Sequence, residues 1–340
     1  MEKINIVAKA PLRISFAGGG SDLPSYIKHH GGEVFVSTIN QWVTVTLKAI
    51  PHMKEGIKVS LVSYNQKKFL HTDALSFYQQ DHFDIIKAAC NLVKVTKQIE
   101  IIITSNIPPA SGLGTSSATA LAILAALYKY KKIRLNKPAL AKDAVHIERS
   151  ILKIAGGIQD QYAISFGGFN YINFIKNGQV CVKSVELKQD IVKRLEENLL
   201  LFYLEGDRSG ENQQNRLNRF IIRSDSTVEA LGRLRKICKI MQCLLVSGNL
   251  DEFAKYLHKS WLLKKKTSTG ISTDKIDKIY NQSLQCGAVG GKILGAGGGG
   301  CLLLYCPINK QKAVCDMVLK MTKVKAIPFQ FEAEGVKIIL

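Results

Sequence analysis

No Cys-X2-Cys pair occurs among the eight cysteines, at positions 90, 181, 238, 243, 286, 301, 306 and 315, so the spacing of a zinc ribbon or a thioredoxin-like redox site is absent. Several of these cysteines lie inside apolar, strand-like runs, and reduced, buried thiols are the expected state. No Gly-Lys-Ser/Thr follows any glycine loop, which excludes a Walker-type phosphate loop. Acidic residues are scarce, 27 against 47 Lys plus Arg, for a formal charge of +20 that favours anionic ligands such as nucleotides and phosphorylated metabolites. No basic stripe with interleaved aromatics accompanies that charge, because the lysines are scattered through every segment, so nucleic acid is not the expected partner.

Long hydrophobic runs are also few. The stretch from Ile107 to Tyr130 has no charge until Lys129, but Pro108, Pro109, Gly112 and Gly114 break its first third. What remains, about Ser117 to Tyr128, is too short to cross a bilayer and reads as a buried helix. The amino terminus has an early acid and no continuous apolar core before a small-residue cleavage site. No secretory signal and no membrane association are therefore expected, and the location is expected to be cytoplasmic. No repeat or low-complexity linker interrupts the chain.

What is present has the composition of a globular protein, 46% hydrophobic and 22% charged over 340 residues, a length of about two domains. Residues Asn5 to Phe16, Glu33 to Ile50 and Gln98 to Thr104 are rich in β-branched residues and read as strands. Asn136 followed by Pro138 opens a helix whose apolar positions Leu140, Ala144, Ile147 and Ile151 keep a helical period towards Gly156-Gly157, with Glu148 near its end. Further strands are expected around Gly168 to Phe174, Val180 to Leu187 and Leu199 to Leu204. Helices follow through roughly Ser226 to Leu245 and Leu250 to Leu262. The carboxy-terminal part alternates helix Thr273 to Cys286, strand Val289 to Leu294, strand Cys301 to Tyr305 and helix Lys310 to Met321. The expected class is α+β, with two closely packed halves, residues 1–190 and 191–340.

Three segments carry chemistry. Pro108-Pro109-Ala110-Ser111-Gly112-Leu113-Gly114-Thr115-Ser116-Ser117-Ala118 sits between a strand and an apolar helix. Glycines there let backbone N–H groups approach phosphate oxygens, and a helix start offers unpaired donors and the positive end of a dipole. An ordinary Pro/Gly loop capping a helix would look similar. From Gly290 to Gly300, seven of eleven residues are glycine. A hairpin turn needs one or two, so a loop lying over a ligand or over another glycine loop is expected. Near the start, Ala10-Pro11-Leu12-Arg13-Ile14-Ser15-Phe16-Ala17-Gly18-Gly19-Gly20-Ser21-Asp22-Leu23-Pro24 ends a strand in a glycine turn bearing one cation and one carboxylate, as a polyol-binding rim would.

Together these segments resemble the three motifs of the GHMP kinases, the family of galactokinase, mevalonate kinase and homoserine kinase, over nearly the whole chain. Gly-Gly-Gly-Ser-Asp-Leu-Pro, Ala155-Gly156-Gly157-Ile158-Gln159-Asp160-Gln161-Tyr162, Phe166-Gly167-Gly168-Phe169-Asn170 and Ser260-Trp261-Leu262-Leu263-Lys264-Lys265 resemble the bacterial D-glycero-D-manno-heptose 7-phosphate kinases and related fucokinase domains. The resemblance implies a two-domain α+β kinase with its site in the cleft between domains. It implies ATP as co-substrate, Mg2+, and a sugar or sugar phosphate as acceptor, most specifically O1 of D-glycero-D-manno-heptose 7-phosphate, yielding the 1,7-bisphosphate. L-fucose as acceptor, or a catalytically silent ATP- and sugar-binding sensor, are the alternatives.

By the same resemblance Asp160 is the catalytic aspartate and Arg13 its basic neighbour. Nucleotide binding falls to Pro109, Ala110, Ser111, Gly112, Leu113, Gly114, Thr115, Ser116 and Ser117, and metal binding to Ser116 and Glu148. Substrate binding falls to Gly18, Gly19, Gly20, Ser21, Asp22, Arg208, Lys265, Gly297 and Gly298, with Lys264, Lys265 and Arg208 as candidates for a 7-phosphate pocket. The residues leave some roles open. Asp22 also suits a turn, Glu148 also suits a helix-surface pair with Lys142 or Arg149, and Asp160 suits either proton abstraction or orientation of the acceptor. Tyr203-Leu204-Glu205-Gly206-Asp207-Arg208-Ser209-Gly210 departs from the Tyr-Thr-Gly pattern expected of close relatives.

Overall fold

The computed structural model describes residues 5–204, 210–322 and 326–339. Its eleven described strands are β1 (Asn5–Ala17), β2 (Gly32–Ala49), β3 (Ile57–Leu61), β4 (Gln66–Leu70), β5 (Ile99–Ser105), β6 (Phe169–Phe174), β7 (Val180–Ser184), β8 (Leu199–Leu204), β9 (Gly290–Ile293), β10 (Gly300–Tyr305) and β11 (Lys337–Ile339). Eight form one sheet in the order β11-β1-β2-β5-β3-β4, with β6 also on β2 and β7 on β6; the other three form a sheet in the order β8-β10-β9. Only the β3–β5 pairing is parallel.

The long β2 organises the larger sheet. One edge pairs with β1 along its length, while the other is shared between β6 at Gly32 to Ser37 and β5 at Val43 to Ala49. The sheet thus forks, and the arm ending in β5 delivers the chain into the Pro-Gly loop. The apolar helix that follows, Thr115–Tyr130, is buried all round from Ala120 to Tyr128 and packs on β1 and β2. That is the expected fate of a helix with no polar face. Asn136 caps the next helix, Lys137–Val145, by accepting from the Ala139 amide, and a π-helical turn, His146–Ile151, then turns Glu148 inward.

Several expectations are refined. The strands read near Gly168 and Val180 belong to the first sheet, whereas that at Leu199 opens the second. The hairpin β3–β4 and the helices Asp84–Val93 and Gly210–Arg223 are additions. The chain also returns: β11 pairs with β1, and Phe331 bridges to Ile39, so the last described residues lie on the sheet of the amino-terminal half. One hydrophobic core runs through both halves, including Phe16 and Leu121 from the first and Cys238, Phe253 and Leu303 from the second. No disulfide joins the described cysteines, and Cys90, Cys238, Cys301 and Cys306 are buried; burial pushes the Cys90 thiol up to about 12.

The returning segment is seated by backbone contacts. Gly167, at φ +77°, leaves room for Glu334 and Gly335, and a Cβ there would lie 2.1 Å from the Gly335 nitrogen. Gly167→Ala is expected to lower stability by more than about 1 kcal/mol, since it combines a left-handed φ with a backbone clash. Urea denaturation followed by tryptophan fluorescence reads this directly, and an unchanged midpoint would show that the segment is not held as described.

Candidate active site

Two cavities meet at the Pro-Gly loop, sharing Ala110, Thr115, Ser116 and Ile154 in their walls. The larger, about 480 Å3, is lined by Leu61, Tyr64, Tyr78, Ile85, Ile103 and Ile107, with Ser63, Gln80, Asp81 and His82 as polar edges. The smaller, about 230 Å3, is lined on its polar side by Arg13, Asp22, Glu148, Arg149, Gln159, Asp160, Gln214 and Lys264, with Gly19, Gly20, Gly295 and Ala296. A chamber rimmed by aromatic and aliphatic side chains and one lined by charged groups thus meet at one loop.

That loop is held from β1. The Arg13 backbone N–H donates to Leu113 O at 3.0 Å, and its Nη1 donates to Gly112 O at 2.6 Å. The rest of the guanidinium forms a fork on Asp160, Nε to Oδ1 and Nη2 to Oδ2, both at 2.7 Å. Bidentate pairing fixes both partners in angle as well as distance. Asp160, in the first turn of helix Gln159–Phe166, keeps 21% of its side chain exposed, so the lone pairs not used by Arg13 face the cavity. Gly114, at φ +82°, places the loop hard against this pair: a Cβ would be 3.3 Å from Asp160 Oδ2. No side chain caps helix Thr115–Tyr130, so its first-turn N–H groups remain available at the cavity wall.

Glu148 is 1% exposed and is not the helix-surface residue that pairing with Lys142 or Arg149 would have made it. It accepts from Ser116 Oγ and Ser117 Oγ, each at 2.8 Å, and from the Gln161 amide. Among the described residues no group of three or more His, Cys, Asp or Glu side chains is placed to hold a metal alone. The donor set at this wall is one carboxylate and one hydroxyl, hard oxygens of the kind and number that magnesium takes from protein while keeping phosphates and waters.

The first-motif turn divides by role. Gly19 and Gly20 line the cavity, whereas Ser21 is fully buried, donating to the Gly18 and Glu33 carbonyls, and Gly18 lies against Glu33, where a Cβ would come within 2.0 Å of its oxygen. Asp22 is both a turn residue and a wall residue. It shapes the turn by accepting from the Gly20 and Gln159 amides, at 2.8 and 3.2 Å, and it faces the cavity.

Other expected substrate residues lie elsewhere. Lys265 turns away to Asp277 at 3.0 Å, and Lys264, one residue earlier, reaches the cavity and donates to Gly19 O at 3.0 Å. Gly297 and Gly298 pack on the turn at Gly270 and Ile271, the Gly298 amide donating to Ile271 O at 2.8 Å. Leu113 is enclosed in the core, and Pro109 lines the larger cavity. Arg208 lies outside the described residues.

The glycine-rich third segment resolves into separate close approaches. Gly290 admits the helix Leu250–Lys265, since a Cβ would sit 2.2 Å from Ala254 O. Gly295, at φ +77°, lies on the Pro-Gly loop, its virtual Cβ 2.7 Å from Gly112 Cα, while the Cys301 amide donates to Ser111 O at 2.8 Å. One glycine loop does cover the other. Gly295→Ala is expected to raise the dissociation constant for ATP about tenfold or more, the scale of 1–3 kcal/mol of backbone strain. Calorimetric titration checks it, and unchanged affinity in a folded variant would detach the third segment from the nucleotide side.

Comparison with known proteins follows the same lines. The profile for the GHMP kinases N terminal domain matches residues 83–168, and that for GHMP kinases C terminal matches residues 228–321. A D-glycero-α-D-manno-heptose 7-phosphate kinase of Campylobacter jejuni is 30% identical, with 98% of each chain covered. Among solved structures, a D-glycero-D-manno-heptose 1-phosphate kinase from Bacteroides thetaiotaomicron superposes with a TM-score of 0.80 at 27% identity, covering 98% of this chain and 99% of its own. A putative sugar kinase from Campylobacter jejuni gives 0.78 at 29%, with 98% of each covered. These matches run over nearly the whole chain, and the chain belongs to the GHMP kinase family.

Proposed function

We propose that the protein transfers the γ-phosphoryl group of ATP to O1 of D-glycero-D-manno-heptose 7-phosphate, giving the 1,7-bisphosphate. The observation that carries this reading is the position of the Arg13–Asp160 pair, in contact with Gly114 at the meeting of the apolar and charged cavities. The aromatic-rimmed chamber suits an adenine base, the loop and helix start suit the triphosphate, and the charged chamber suits a polyol.

Phosphoryl transfer asks for charge neutralisation and an aligned hydroxyl more than for covalent help. Asp160, its angle set by Arg13, accepts the acceptor O–H and points that oxygen along the line of attack. Ser116 and Glu148 are the residues that would hold Mg2+, which when bound neutralises charge on the β- and γ-phosphates. Ser117 and Gln161 orient the Glu148 carboxylate through the hydrogen bonds they donate. Gly295 and its neighbours close the loop from the carboxy-terminal half. The heptose follows from the full-length relatives and from the Ser-Trp-Leu-Leu-Lys-Lys segment that ends at the cavity.

ADP release over a panel of sugars is the test of the reaction. Turnover with D-glycero-D-manno-heptose 7-phosphate is expected to exceed that with galactose, L-fucose, mevalonate or homoserine by orders of magnitude, and better turnover of free L-fucose would overturn the heptose. Two near-isosteric variants test the roles. Asp160→Asn should keep ATP affinity and lose about two orders of magnitude or more in kcat, the scale of lost acid–base help. Glu148→Gln should instead raise the magnesium requirement, with added metal restoring part of the rate. Measuring kcat across a magnesium titration separates them, and equal rescue of both variants would contradict the assignment.

A further inference from the structure

At the carboxy-terminal end of helix Leu250–Lys265, Lys264 is carried into the wall of the charged cavity and enclosed there, with 6% of the residue exposed. A lysine ammonium has three donors. Lys264 Nζ uses one, to Gly19 O, and makes no other hydrogen bond among the described residues. Burial pulls it down to about 8, with Asp22 acting in the opposite direction. The Asp22 oxygens are themselves engaged by the Gly20 and Gln159 amides.

A second enclosed ammonium lies nearby. Lys292 Nζ, from β9, donates to Ser15 O at 2.9 Å and Phe16 O at 3.2 Å, and is pulled down to about 7 by burial and then by Lys264. Two cations are thus set under one turn, neither hydrogen-bonded to a carboxylate. Asp22 is the carboxylate that acts on both, one counter-charge for two enclosed ammoniums, and an anion arriving from the cavity would offset the excess. The wall of the same cavity also holds Gln214, whose Oε1 is enclosed and has no hydrogen-bond partner among the described residues. The cavity thus offers a cation for an anion and an acceptor for a hydroxyl.

We infer that Lys264 binds a phosphate group already carried by the acceptor, with Gln214 accepting from a neighbouring sugar hydroxyl. The inference rests on the proposed reaction and deepens it. The acceptor's reacting hydroxyl lies at Asp160 and its phosphate at Lys264, so the preferred substrates are sugars phosphorylated at the end remote from the reacting oxygen. Arg149 has a different part, because three of its five N–H groups, one on each nitrogen, hold the carbonyls of Ile154 and Gly157 and fix the guanidinium in the loop. Lys265, held by Asp277 and lying over the Trp261 ring, is engaged elsewhere.

The test is steady-state ADP release by the full chain with heptose 7-phosphate, with mannose 6-phosphate and with the same sugars lacking phosphate. Lys264→Met should raise KM for the phosphorylated acceptor about 10- to 100-fold, the scale of a lost hydrogen bond to a charged group. KM for ATP should stay within about twofold, since the triphosphate side of the loop is untouched. The ratio of kcat/KM for phosphorylated over phosphate-free acceptor should fall by a comparable factor, so the preference for phosphorylated acceptor collapses. Lys265→Met should behave as wild type. If the methionine variant does not fold, Lys264→Arg and Lys264→Gln carry the comparison, the first retaining much of the preference and the second losing it. An unchanged KM for heptose 7-phosphate in Lys264→Met overturns the inference and leaves the proposed function standing. Lys264-dependent turnover of mannose 6-phosphate in place of the heptose overturns the heptose and keeps the Lys264 assignment. Wild-type turnover confined to phosphate-free sugars overturns both.

Discussion

The pairing of Arg13 with Asp160 is the joint on which the site depends. Its three hydrogen-bonding groups tie the middle of β1 to the glycine loop and to the first turn of helix Gln159–Phe166, elements far apart in sequence. Because the fork is bidentate, the carboxylate is held in angle, and because Arg13 also grips Gly112, the loop and the carboxylate move as one body. The proposed reaction needs a phosphate loop and an acceptor-orienting group in fixed register, and a single guanidinium would supply it.

Around that joint, much of the assembly is backbone against backbone. Gly295 rests on Gly112, Gly290 on Ala254, Gly167 on Gly335 and Gly157 on the Asp22 carboxylate, each at a separation that a Cβ would close to under 3 Å. Glycine in these positions gives up side-chain packing and backbone restriction, and gains contacts that place the two halves within hydrogen-bonding reach. The carboxy-terminal half contributes a cover for the loop through Gly295 and a cation through Lys264, while the last strand, β11, returns to β1 and closes the sheet. The cleft is therefore shaped by both halves, although the Arg13, Asp160, Ser116 and Glu148 groups all come from the first.

Strands and helices with a clear period were legible in the sequence, from β1, β2 and β5 to the buried helix and the Asn136 cap. The short hairpin β3–β4 was not, since its second strand, Gln66–Leu70, is exposed in four of five positions and carries no alternation. The Pro-Gly loop was singled out by its place between strand and helix, and Asp160, Arg13 and Glu148 by the resemblance to the kinase motifs, but their mutual geometry was not legible. Lys264 and Lys265 were both named as candidates, and a signal in the sequence tells which of them faces the cavity. Leu250, Phe253, Leu257, Trp261 and Lys264 follow one another at helical spacing on the buried face, and Lys265 falls off it. The apolar chamber was invisible because Tyr64, Tyr78 and Ile103 come from segments with no common motif, the parallel pairing of β3 with β5 bringing the end of β3, just before Tyr64, alongside Ile103.

The central claim is that nucleotide and acceptor approach from the two chambers and react beside Asp160. A crystal structure with a non-hydrolysable ATP analogue, magnesium and heptose 7-phosphate tests it most directly. The account predicts the adenine between Tyr64 and Ile103, the γ-phosphate at the Gly112 to Ser116 loop, and the acceptor hydroxyl within hydrogen-bonding distance of Asp160. A sugar lodged in the chamber of Tyr64 and Tyr78, or a triphosphate lying away from Gly114, would contradict it.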